Sequence, residues 1–392
     1  MKYINIPKGN NQKVYIDTRW VPEAYINYLL ENEYDVISDS SLVTDDTFFL
    51  TPCLDEHINK EKNDYVSKKM KKLRECFAGE EVCEPLTITF PSDKFPETTP
   101  SLPFVMKNIE ENGGFEKFIV RTPEQLNLLK RFYKEINDYD FEYRVKSAQK
   151  SWSCLGEIIF DRITGHSNKG ISLFIYDYKD IFHERIVLQE YVETPTIYNT
   201  SMRVLTSSTG EILCASLKYM EPSLPDENKR YHGYFDTYLS DPSSPYFLGN
   251  ESIISNTVAG GNSILLRKNN YSAKEKEILS AHNINTDTGN VPDSVARVAT
   301  KIAIHCRREI GAISGMDFIY DNKSKTWKFL EQHEFPMLTT YAQAHNIPLP
   351  EDDLEECAFH RELDLNVRLH ALINYMNKKY SQKKDSKKLN LK

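Results

Sequence analysis

Gly311-Ala-Ile-Ser-Gly-Met-Asp-Phe-Ile-Tyr320, followed by Lys328-Phe-Leu-Glu-Gln-His-Glu-Phe-Pro336, reads as two strands joined by a turn. Each strand carries an acid within an apolar, β-prone run: Asp317 in Met316-Asp317-Phe318-Ile319, and Glu331 after Phe329-Leu330. The link between them, Asp321-Asn-Lys-Ser-Lys325, is rich in turn formers. A hairpin sets the two carboxylates side by side. On a half-buried face each is costly unless a cation receives it, and two that face each other repel, so a bound divalent metal accounts for the pattern. From these residues alone, a pair of strand-end acids facing water accounts for it equally well.

Further segments stand upstream in a definite order. Pro103-Phe-Val-Met-Lys107 is a strand ending in lysine, and Glu111-Asn-Gly-Gly-Phe115 is a loop of small residues. Ile186-Val-Leu-Gln-Glu-Tyr-Val192 is an apolar strand with a polar exit, and Ser201-Met-Arg-Val204 carries Arg203. Asn256-Thr-Val-Ala-Gly-Gly261 precedes the two acidic strands. In this order the segments resemble the ATP-grasp superfamily, most nearly its carboxylate–amine ligases of the peptide- and glutathione-forming kind. The resemblance covers roughly residues 60 to 340 and rests on the order of six short signals.

The resemblance implies an α+β fold in which two lobes, each a mostly antiparallel sheet with helices, grip ATP behind a short Rossmann-like N-terminal unit. The expected division is 1–60 for that unit, 61–187 for the first lobe, 188–380 for the second and 381–392 for a flexible basic tail. Lys107 is expected to meet the nucleotide phosphates, with Lys68, or its neighbour Lys69, as the second lysine. Gly113 and Gly114 lack a Cβ and would let backbone N–H groups approach the phosphates, although a glycine pair is also a plain turn. Gln189, Glu190 and Val192 would border adenine and Glu193 the ribose, unless they are simply the polar end of a buried strand. Asn256 would approach the phosphates, and Arg267 would steer an anionic acid. With strand alternation, Arg203 and Lys218 point toward the phosphates or a developing acyl phosphate, surface charge being the alternative for Lys218.

Asp317 and Glu331 would hold Mg2+, with His333 at the third ligand position. Imidazole suits Mn2+ or Zn2+ better than Mg2+, so either Glu334 or Asn256 supplies an oxygen instead, the metal is weakly held, or the site is silent. The expected reaction joins a small-molecule or peptide carboxylate to an amine through an acyl phosphate. A small-molecule kinase, a silent nucleotide-binding regulator and a peptide-binding scaffold without nucleotide remain as alternatives.

A chain of 392 residues with 40% hydrophobic residues has material for several lobes. Its net charge of −8 argues against sequence-independent nucleic-acid binding. No run approaches the ~20 apolar residues that cross a bilayer, and no secretory leader is read at the start, so a cytoplasmic location is expected. Seven cysteines without a CxxC pair suggest reduced thiols. Nothing in the composition specifies an oligomeric state.

Local patterning adds strands at 13–16, 47–50 and 85–90, and helices near 23–30, 65–77 and 363–376. Thr122, Pro123 and Gln125 mark a helix start. Val295, Val298, Ala299, Ile302, Ala303 and Cys306 recur at helical spacing across 294–309.

Overall fold

Short β-branched and aromatic runs near the start of the chain build a parallel sheet. Strands β1 (Lys13–Tyr15), β2 (Asp35–Ile37) and β3 (Phe48–Phe49) lie in the order β2-β1-β3, with helix α1 (Glu23–Glu31) between the first two in sequence. The computed structural model describes residues 3–53, 71–91, 96–108, 117–124, 126–127, 130, 185–220, 262–267, 270–333, 336, 338–348 and 353–389.

A second sheet contains β4 (Thr87–Pro91), β5 (Phe104–Asn108), β6 (Lys117–Val120) and β7 (Arg185–Glu190) in the order β4-β7-β5-β6, all antiparallel. The third contains β8 (Asn199–Ser207), β9 (Ile212–Met220), β10 (Asn262–Leu265), β11 (Ile313–Asp321) and β12 (Thr326–His333) in the order β10-β9-β8-β11-β12, again antiparallel. At the β12 edge the chain before β4 lies alongside: Cys83 bridges Lys328, and the Phe329 N–H donates to the Cys83 carbonyl at 2.9 Å.

One face of the third sheet is apolar. Met202, Val204, Leu217, Met316, Phe318 and Phe329 pack against helices α2 (Ala273–Ala281) and α3 (Asp293–His305). Helix α3 forms where the spacing predicts it. Val295, Val298, Ala299, Ile302 and Ala303 share its buried stripe, and Asp293 complements the N-terminal dipole. Burial of each large aliphatic side chain contributes roughly 1.5–3 kcal/mol. Helix α4 (Arg307–Ile310) follows and stops at Gly311, whose φ of 75° favours glycine. There is no room for a side chain either, because a Cβ would meet the Thr51 carbonyl carbon at 2.8 Å.

Helix α5 (Thr339–Ala344) and helix α6 (Asp353–Leu389) close the chain. Leu365, Leu369, Leu372 and Met376 of α6 join Tyr25, Leu29, Leu50, Leu205 and Ile313 in a second core. Arg368 is buried within it, paired with Asp364 at 2.7 Å and donating to the Leu50 carbonyl at 2.8 Å. The expected tail beyond 380 is corrected: α6 continues as helix to Leu389, with no proline or glycine between to stop it. The expected helix over 65–77 is described only from residue 71, where a short helical stretch leads into turns.

Candidate active site

The opposite face of the third sheet carries charge. Asp317 on β11 is flanked directly by Arg203 on β8 and Glu331 on β12, so three charged side chains form one row across three strands. Alternation explains Asp317, because Met316 and Phe318 on either side of it are fully buried in the core. It does not explain Glu331. Phe329, two residues earlier, should share its face, yet Phe329 packs in the core. The ladder resolves the conflict with a bulge: Asp317 pairs with Glu331 and Phe318 with Phe329, leaving Leu330 as the extra residue. Glu331 and Lys328 thereby reach one face and Phe329 the other.

Arg203 grips Asp317 with two parallel bonds, Nε to Oδ1 and a terminal nitrogen to Oδ2 at 2.5 Å. Both side chains are nearly inaccessible, at 13% and 7% exposure. Gly315 makes space for this grip, since a Cβ there would lie 3.3 Å from Arg203 Cδ and 2.7 Å from Pro336 Cβ. Lys218 on β9 is buried two registers away, opposite Ser201 and Ser263. Burial pushes the Asp317 carboxyl upward, but the charges of Arg203 and Lys218 outweigh it and hold the group well below the usual carboxylate range. Burial likewise opposes the charge on Arg203, and Asp317 and Glu331 restore it.

His333 follows Glu331 on the same face, with Nε2 3.3 Å from Glu331 Oε1 and 3.7 Å from Asp317 Oδ2. Burial lowers its affinity for a proton, whereas Asp317 and Glu331 raise it, and the net shift is upward. One ligand atom from each of Asp317, Glu331 and His333 falls within 4.8 Å of the others, a spacing that fits a divalent ion bound by oxygen and nitrogen. The two acids face two cations, Arg203 and Lys218. Their formal charges balance.

The segment leaving β7 lies next to β12. Lys328, only 11% exposed, is 3.2 Å from Glu190 and 3.2 Å from Asp321. The Glu190 N–H donates to the Leu86 carbonyl at 2.8 Å, and the Glu193 carbonyl accepts from the Asn322 N–H at 2.9 Å. Gln189 is buried and donates to Thr87 Oγ1 at 3.1 Å. Val192 is buried, and its N–H makes no backbone hydrogen bond to any described residue. Glu193 is exposed. Lys328 had no expected role. Its signal was a lysine inside the apolar run Trp327-Lys328-Phe329.

The structure does not bring every expected residue together. Arg267 is exposed just past the end of β10, three strand spacings or about 14 Å across the sheet from β11. Lys107 lies on β5 opposite Lys117 and Val187. Lys68, Lys69, Gly113, Gly114, Asn256 and Glu334 are outside the described residues.

No family model matches the chain, and no curated protein does. Some solved structures are similar to it. A D-alanine–D-alanine ligase from Bacillus anthracis is 12% identical with a TM-score of 0.37, over 93% of this chain and 98% of that one. The ATP-grasp ligase PsnB, complexed with a minimal precursor, is 9% identical with a TM-score of 0.36, over 81% of this chain and 62% of its own. An L-amino acid ligase from Bacillus licheniformis is 10% identical with a TM-score of 0.32, over 87% and 59%. Against PsnB the chain thus spans less than two thirds of the solved structure's length. Likeness at these TM-scores carries no argument about the site, which rests on its own geometry. These similar structures are ligases, and PsnB among them is an ATP-grasp ligase.

Proposed function

We propose that the chain is an ATP-dependent carboxylate–amine ligase of the ATP-grasp kind, acting on a small-molecule or peptide acid. The observation that carries the reading is the charged row Arg203, Asp317 and Glu331 with buried Lys218 beside it, on a sheet face next to the exit of β7. A divalent cation such as Mg2+, when bound, would neutralise the charge of the β- and γ-phosphates. Asp317 and Glu331 would hold it. Arg203 fixes the Asp317 carboxylate, and with Lys218 it offers positive charge to phosphate oxygens.

Adenine would lie along 189–193, with the Val192 N–H as donor to the ring edge and Glu193 accepting from ribose. Lys107, Lys68, Gly113, Gly114 and Asn256 belong to the same proposal as phosphate-side groups, and Arg267 as a guide for the acid. Two lobes, 61–187 and 188–380, behind an N-terminal unit at 1–60, are the domain division we propose. We also propose a cytoplasmic location. No helix among the described residues is long and apolar enough to cross a membrane.

In the first step a substrate carboxylate oxygen bonds to the γ-phosphorus while the bond to the β-bridging oxygen breaks, and ADP departs. The amine nitrogen then bonds to the acyl carbon, the bond to phosphate breaks, and the amine proton passes to solvent. Hydroxylamine in place of the amine tests this. With ATP, a divalent metal and a pool of carboxylic acids, the expected product is a hydroxamate together with ADP and phosphate. A stable phosphate ester as sole product would refute the ligase reading in favour of a kinase. A second reading, a silent nucleotide-binding regulator, draws on the Arg203–Asp317 pair, in which the two charges already face each other. It predicts stabilisation by ATP with no product.

A further inference from the structure

The two carboxylates leave unexplained the imidazole that shares their face. Resting on the ligase reading, we infer that His333 is itself a ligand of the bound cation and biases the site toward Mn2+, or another borderline divalent ion, over Mg2+. The ladder between Glu331 and His333 is regular, with Gln332 opposite Met316 and His333 opposite Gly315, so the two residues share the sheet face of Asp317. Gly315, with no side chain of its own, keeps the space opposite His333 clear of a Cβ.

The distances fit a common ion. With bonds of about 2.1 Å, adjacent octahedral ligands sit about 3 Å apart and opposite ones about 4.2 Å. The Nε2 separations of 3.3 Å and 3.7 Å fall inside that interval. Asp317 remains able to contribute although Arg203 holds it, because an ionised carboxylate has about four acceptor positions and the guanidinium uses two. Nε2 is shut off from solvent and makes no hydrogen bond among the described residues. A buried nitrogen set between two carboxylates is completed by positive charge shared among the three, either a metal ion or the ring's own proton. Mg2+ prefers oxygen, whereas imidazole nitrogen is a better partner for ions of the transition series.

The competing role is a protonated ring acting as counter-ion to the two acids. Pulsed electron paramagnetic resonance separates the two, using the full chain labelled with [15N]histidine in the presence of Mn2+ and ADP. The expected result is a 15N coupling to Mn2+ that disappears in His333→Asn. Titration should give a Mn2+ affinity weakened at least ~10-fold in His333→Asn, with Mg2+ affinity changed less than about threefold. Bound Mn2+ without histidine coupling in the wild-type chain would overturn the inference, as would equal losses for both metals. Asp317→Asn and Glu331→Gln distinguish the two levels of failure. If they leave Mn2+ affinity unchanged the carboxylate site fails and this inference with it; if they abolish it while His333→Asn does nothing, only the histidine assignment falls.

Discussion

Asp317 and Glu331 differ in ways that their shared chemistry hides. Asp317 is buried against Arg203, and removing its charge strands a guanidinium in a nearly inaccessible place. Asp317→Asn is therefore expected to cost about 3–5 kcal/mol in urea unfolding as well as turnover. Glu331 is about one-third exposed, so Glu331→Gln should cost under about 1 kcal/mol in stability while reducing turnover at least ~100-fold. Equal stability losses would contradict this division. A second residue has a pH signature. His282 is buried, its Nδ1 donating to the Ile278 carbonyl at 2.6 Å while its Nε2 accepts from Thr200 at 2.5 Å. Burial pushes the ring down to about 4 from the ordinary 6.5. Between those values the unfolded chain binds a proton that the folded chain refuses, so stability falls as pH drops through that window, by up to about 1.4 kcal/mol per unit. His282→Gln should flatten that part of the stability–pH curve, and an unchanged slope would assign the acid sensitivity elsewhere.

At the scale of elements, patterning that repeats was legible and patterning that breaks was not. Helix α3 announced itself through five apolar residues on one stripe, and the hairpin of β11 and β12 through two apolar runs around a turn. The bulge at Leu330 was hidden. Glu331 and Phe329 obey no simple period, and a bulge leaves no residue-type signature when the extra residue is an ordinary leucine. Deleting Leu330 tests its importance. Restored alternation would force either Glu331 into the core or Phe329 out of it, so the deletion should destabilise far more than Leu330→Ala, which removes a half-buried side chain at a cost of about 1–2 kcal/mol. Similar midpoints for the two variants in thermal unfolding would show that the register adjusts elsewhere. The Arg203–Asp317 contact was also hidden, because cross-strand partners more than a hundred residues apart cannot be read from either strand alone.

Across the whole molecule, α6 ties the ends of the chain together. Arg368 reaches the Leu50 carbonyl, and Tyr25 donates to the Leu365 carbonyl at 3.0 Å, so the N-terminal parallel sheet and the last helix share one core. Arg368→Ala should strand the Asp364 carboxylate, leave the Leu50 carbonyl with the Ala312 N–H alone and cost about 3 kcal/mol, with the N-terminal sheet losing hydrogen-exchange protection together with α6. Independent loss of protection would mean that the two fold as separate units. The sequence suggested the N-terminal strands and the amphipathic middle of α6, but not their union, in which a buried arginine joins a shared apolar core. The strip of chain at Cys83 has a different significance. Among the described residues β12 ends its sheet, and its sequence Thr-Trp-Lys-Phe-Leu would offer N–H and C=O groups to a passing strand were Cys83 not laid along it. The strip is thus a guard against polymerisation as well as a scaffold. Prying it loose with Val82→Asp, at a fully buried position, should yield concentration-dependent, thioflavin-positive assemblies rather than a merely less stable monomer.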